Sequence, residues 1–129
     1  MKKFDIKTAV IGVGSMGRHH ARVYSEISNL VGVVDPNEGL GSSVAKEYGV
    51  PWFDDYKSIL SEVDAVSIAV PTYLHLPVAL DLMSANVNVL IEKPLAGNVE
   101  DAQKIIDSSE RNGVVLGVGH IERHNSVIR

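Results

Sequence analysis

A doubly wound α/β sheet, mostly parallel, is the fold class that the sequence predicts, and three observations carry it. Short apolar runs alternate with longer amphipathic stretches along the whole chain. The apolar runs are continuously hydrophobic, as strands covered by helices on both faces must be. Successive runs are separated by enough residues for the crossover that parallel neighbours require. At 129 residues the chain has the length of one ordinary domain with a real core.

Each element has its own reason. Residues 6–12 are rich in β-branched side chains and predict a first strand. Residues 15–27 follow, with Ala21, Tyr24 and Ile27 at helical spacing. Residues 30–35 form a second strand, stopped by Pro36 and Asn37. Residues 42–48 predict a short helix ended by Gly49. Residues 51–53 predict a brief edge strand and 56–61 another short helix. Residues 65–70 form a third buried strand. Residues 76–85 place Leu76, Ala79, Leu80 and Met83 on one helical face. A strand at 87–91, a helix at 99–112 and a strand at 114–118 complete the pattern.

Composition removes several classes of function. Lys and Arg number 12 against 16 Asp and Glu, a formal charge of −4. That balance argues against nucleic acid and anionic membrane as partners, since their phosphates call for a basic stripe. There is no cysteine, which excludes disulfides, iron–sulfur clusters and thiol nucleophiles. No apolar run approaches the roughly 18 residues of a membrane span, and the polar start does not resemble a signal peptide. A cytoplasmic protein is expected.

The sharpest motif is Gly12-Val13-Gly14-Ser15-Met16-Gly17. G-x-G-x-x-G is common by itself. Here it closes an apolar strand, opens an amphipathic helix, and is followed by an acid at the end of the next strand. Gly12 permits the tight turn. Gly14 lets a pyrophosphate approach the backbone, and Gly17 lets the helix pack on the strand. The helix N-terminus then offers N–H groups and a positive dipole end. The alternative is a tight turn that binds nothing. Asp35 lies about 20 residues beyond the loop, where a carboxylate takes the two hydroxyls of the adenosine ribose. It would repel a 2′-phosphate, so NAD is expected over NADP. Lys46 is the nearest following cation in sequence. Asp35 also begins an Asp-Pro-Asn turn, and that role is compatible with the first.

A second group lies where the carboxyl ends of later strands meet the crevice. Pro71 and Thr72 follow the third strand and face the middle of a dinucleotide. His75 stands near a helix start, as a site residue or as an ordinary packed one. Glu92, Lys93 and Pro94 follow the next strand, and the Lys93–Pro94 bond is a candidate for cis. A lysine there can hydrogen-bond to a substrate hydroxyl or carry its proton. The alternative is a solvated pair of opposite charges on a loop.

The glycine loop, Val34-Asp35-Pro36-Asn37, Pro71-Thr72-Tyr73-Leu74-His75 and Glu92-Lys93-Pro94-Leu95-Ala96, in this order, resemble the Gfo/Idh/MocA oxidoreductases. Residues 117–125 are similar to that family's sixth strand and crossing segment, and most like members acting on sugars of the UDP-N-acetylglucosamine type. The resemblance implies that Gly12, Gly14, Ser15, Met16 and Gly17 hold the pyrophosphate and Asp35 the ribose. It implies that Pro71, Thr72, His75, Glu92 and Lys93 line the nicotinamide half, with Lys93 the catalytic lysine. Arg123 would reach nicotinamide or substrate, or stay at the surface. The family also carries a second α+β domain with an Asp-x-x-x-His motif. No Asp in this sequence has a His four residues later, and His19, His20, His75, His120 and His124 do not match it. His19 and His20 are expected near the phosphates or simply exposed.

The expected organisation is therefore a dinucleotide-binding domain over 1–119 and a crossover segment over 120–129. The expected function is the cofactor domain of an enzyme that moves a hydride between NAD and a sugar or sugar-nucleotide hydroxyl. Alone it would be inactive or weakly active, because half of the reactive geometry is missing. A stand-alone module sensing NAD(H) is the second reading. A methyltransferase using S-adenosylmethionine is the third, with the Glu-Lys-Pro sequence against it. Self-association is expected through apolar residues near Ile121, Val127 and Ile128.

Overall fold

The computed structural model describes residues 4–119. Six strands form one sheet: β1 (Lys7–Ile11), β2 (Asn29–Val34), β3 (Trp52–Phe53), β4 (Ala65–Ile68), β5 (Asn88–Glu92) and β6 (Leu116–Gly119). Four helices connect them: α1 (Ser15–Ile27), α2 (Glu38–Tyr48), α3 (His75–Ser84) and α4 (Val99–Asn112). The strand order is β3-β2-β1-β4-β5-β6, and every pairing is parallel. The winding reverses between β1 and β4. That reversal opens a crevice at the carboxyl ends of the strands, where ligands of doubly wound sheets sit.

Two cores flank the sheet. Val10 and Val33 pack with Ala21 of α1 and Val44 and Ala45 of α2 on one face. Ala9, Ile11, Val66, Ile68 and Ile91 pack with Val78, Leu82 and Met83 of α3 and Ile105 of α4 on the other. Neighbouring residues of one strand thus enter different cores, which is why the strands show no polar alternation.

Helices α1 and α4 lie where the sequence predicts them. The other elements are shifted at one or both ends, and most of the shifts have local causes. α2 begins at Glu38, four residues before the expected start. The Asn37 side chain caps it, accepting from the Leu40 N–H at 3.0 Å. Gly41 obscures that start in the sequence, yet its role is packing: a Cβ there would lie 2.2 Å from Trp52. The expected helix at 56–61 is a 3₁₀ turn, Tyr56–Ile59. β4 ends at Ile68, two residues early, where the backbone of Ala69 and Val70 packs under Gly12. A second 3₁₀ turn, Thr72–Leu74, leads into α3.

Candidate functional site: a dinucleotide crevice

The glycine loop is built by contacts between backbones. Gly12 has φ of +88°, and a Cβ on it would lie 2.7 Å from the Ala69 carbonyl oxygen. A Cβ on Gly17 would lie 1.7 Å from the Gly12 carbonyl oxygen, so no side chain fits between helix and loop. Gly14 differs: nothing lies within 4 Å of where its Cβ would be. It is the N-cap of α1, with no side chain to cap the helix and no acid in the first turn. The exposed end of α1 therefore presents uncapped N–H groups and the positive end of the helix dipole. Ser15 and Met16 are exposed beside it.

Asp35 sits one residue beyond β2 and is 9% exposed. Its Oδ2 accepts from the Val13 N–H at 2.9 Å, inside the glycine loop. Its Oδ1 accepts from the Asn37 N–H at 2.8 Å. The carboxylate thus organises the loop and the turn together. Each oxygen has a further lone pair, so it retains capacity for ribose hydroxyls. Its carbonyl accepts from the Trp52 indole at 2.8 Å.

The other half joins the ends of β4 and β5. Pro71 is exposed and Thr72 partly so, on the 3₁₀ turn after β4. His75 opens α3 but is only 2% exposed. Its Nε2 lies 2.9 Å from the Val70 carbonyl and its Nδ1 3.2 Å from the Leu95 carbonyl. Both oxygens only accept, and a neutral ring donates to one of them. His75 stands inside the protein and ties the loop after β4 to the loop after β5. Glu92 ends β5, Lys93 is exposed just beyond it, and the Lys93–Pro94 bond is cis.

Sequence reasoning missed one cluster. His20 is half-buried and meets the Glu92 carboxylate through Nε2, while His19 is exposed. His20 Nδ1 lies 2.9 Å from Ser67 Oγ, and Ser67 Oγ lies 2.6 Å from the Tyr24 hydroxyl. The signal was Ser67: a hydroxyl inside an apolar strand has to find partners. His20 and Tyr24, four apart on one helix, supply them. Beside them a groove of about 620 Å³ runs along the α1 side of β5 and β6, floored by Leu90 and Gly117.

Among the described residues no group of acids and histidines could hold a metal ion, and no helix is long and apolar enough to cross a membrane. Arg123, His120 and His124 lie outside the described residues.

Comparison with known proteins bears on this crevice. Residues 6–120 match the oxidoreductase family with NAD-binding Rossmann fold, Gfo/Idh/MocA. The chain belongs to this family. It is its NAD-binding domain, and the glycine loop, uncapped helix end and buried aspartate fit that cofactor. A UDP-N-acetylglucosamine 3-dehydrogenase of Acidithiobacillus ferrooxidans is 43% identical over 96% of this chain and 40% of its own length. Its solved structure superposes with a TM-score of 0.92, covering 97% of this chain and 42% of that one. GenD2 from gentamicin A biosynthesis, solved in complex with NAD, has a TM-score of 0.86 at 33% identity. The match covers 89% of this chain and 34% of that one. The WlbA dehydrogenase of Bordetella pertussis, solved with NADH and UDP-GlcNAcA, has a TM-score of 0.88 at 25% identity. There the coverage is 97% of this chain and 40% of that one. This chain spans about two fifths of the length of the first of these relatives.

Proposed function

We propose that this domain serves hydride transfer between NAD and the hydroxyl of a sugar or sugar nucleotide, with a UDP-linked sugar as the first candidate. The observation that carries the cofactor half is the pairing of an open Gly14 with Asp35 locked onto the same loop. The substrate half rests on what the relatives are named for, UDP-N-acetylglucosamine above all. The bound cofactor would supply the hydride acceptor or donor.

In this reading the backbone around Gly12, Gly14, Ser15, Met16 and Gly17 holds the pyrophosphate. Asp35 holds the adenosine ribose and disfavours a 2′-phosphate. Pro71, Thr72, Glu92 and Lys93 border the nicotinamide half, and His75 supports it from within. Lys93 is assigned as the catalytic group. Exposed at the crevice, its ammonium can donate a hydrogen bond to a substrate oxygen and steady the charge that develops there during hydride transfer. Residues 1–119 form the cofactor unit, and 120–129 lead to the remainder of a longer enzyme. We assign the reaction to the cytoplasm, where NAD and sugar nucleotides are kept. Self-association is proposed around 121–128, and a strictly monomeric species in light scattering at high concentration would refute it.

The test is a fluorescence titration with NADH, with NADPH in parallel. Saturable binding with a clear preference for NADH is the expected result. Preference for NADPH would overturn the role of Asp35, and no binding of either would overturn the cofactor assignment. Hydride transfer from an added UDP-sugar to NAD separates an enzyme from a sensing module.

A further inference from the structure

The hydrogen-bonded cluster beside the crevice has a direction. A carboxylate only accepts, so His20 donates to Glu92 through Nε2–H. In the neutral ring Nδ1 is then bare and accepts from the Ser67 hydroxyl. Ser67 accepts in turn from the Tyr24 phenol. Burial raises the Tyr24 hydroxyl above its ordinary range. Tyr24 therefore remains a donor through neutral pH. Every link points toward Glu92, and each polarises the next.

The cluster joins distant parts of the fold. Tyr24 and His20 stand on α1, Ser67 on β4 and Glu92 at the end of β5. Ser67 is fully buried, and the His20 and Glu92 side chains are 13% and 16% exposed. On the far side a Cβ at Gly119 would come within 3.2 Å of the Glu92 carboxylate, so β6 leaves it little room. With Glu92 held between α1 and β6, Lys93 is the charged side chain exposed at that end of β5. With Asp35 beyond β2 and the glycine loop after β1, the rest of an extended dinucleotide crosses the ends of β4 and β5.

We propose that His20 is a positioning residue for the nicotinamide half of the cofactor site, acting through Glu92. The relay from Tyr24 through Ser67 fixes the His20 tautomer and aims its N–H at the carboxylate. The clamp fixes the turn into Lys93 relative to the helix whose N-terminus faces the phosphates. This inference rests on the cofactor reading above.

The experiment compares NADH with ADP-ribose, which lacks the nicotinamide, on wild type, His20→Leu and His20→Gln. Leucine fills the space without a donor, and glutamine restores one. His20→Leu is expected to weaken NADH about tenfold, the scale of one hydrogen bond to a charged group, and to leave ADP-ribose unchanged. His20→Gln should recover most of that loss. Equal weakening of both ligands, or no weakening, would overturn the proposal. Imidazole nitrogen resonances of the wild-type chain give a reading that needs no variant. The Nε2–H tautomer for His20 supports the relay, and the Nδ1–H tautomer overturns it. A wild-type chain that binds ADP-ribose but not NADH would sink the inference alone. One that binds neither would sink the cofactor reading and the inference together.

Discussion

Around the glycine loop the backbone itself makes the site, while at the ends of β4 and β5 side chains from distant elements make it. Gly12 and Gly17 touch other main-chain atoms, and Asp35 accepts from two main-chain N–H groups. In the second region His75 bridges the carbonyls of two loops, and His20 reaches from α1 to Glu92. The first region depends on the absence of side chains and the second on their presence. The two regions should therefore fail differently when altered.

The largest effect is expected in the first region. A Cβ at Gly17 must displace the backbone of Gly12, so Gly17→Ala should lower stability in urea by about 3 kcal/mol and abolish tight NADH binding. Gly14→Ala sharpens the contrast. With open space around it, this variant should keep the wild-type urea midpoint and lose cofactor affinity alone. If both variants unfold equally, the glycines share one structural role and the distinction is lost.

Asp35→Ala comes next. It leaves the Val13 and Asn37 N–H groups without their acceptor, at a cost of about 1–3 kcal/mol. Parallel titrations should also show the preference for NADH over NADPH narrowing. An unchanged preference would mean that the aspartate only braces the loop.

In the second region His75→Leu should cost about 1–2 kcal/mol, since the buried imidazole is lost and one of the Val70 and Leu95 carbonyls loses its donor. Hydrogen exchange should quicken in both loops while Gly12 to Gly17 stays protected. A loss of NADH affinity at unchanged stability would instead place the imidazole against the cofactor.

The smallest effect is expected in alkali. Burial raises the Tyr24 hydroxyl, and burial with the Asp81 carboxylate raises Tyr56 more strongly. Above the ordinary tyrosine range near pH 10 the unfolded chain releases protons that the folded chain retains. Their contribution to stability is complete below that range and is lost as pH rises through the folded values. Urea midpoints from pH 8 to 11 should fall, and Tyr56→Phe should flatten the fall.

Legibility in the sequence follows the same division. The parallel sheet was readable because strands buried on both faces must be continuously apolar, and Ala9, Val10 and Ile11 show that in three consecutive letters. The loop was readable because only glycine tolerates the backbone contacts at Gly12 and Gly17. α1 and α4 were readable from periodicity alone. The start of α2 was hidden because Gly41 reads as a helix breaker until Trp52 is seen against it.

What the sequence determined alone was local: apolar period, glycine spacing, an acid after the second strand and a lysine–proline pair after the fifth. These are set within a few residues of themselves, so one dimension suffices to express them. Only the tertiary structure decided that His75 turns inward, that Asp35 binds the glycine loop, and that His20 rather than His19 meets Glu92. Those choices depend on which side of a helix faces the sheet and on which strand ends lie side by side. His20 and Glu92 are 72 residues apart in the chain and become neighbours only when β4 and β5 pass beneath α1.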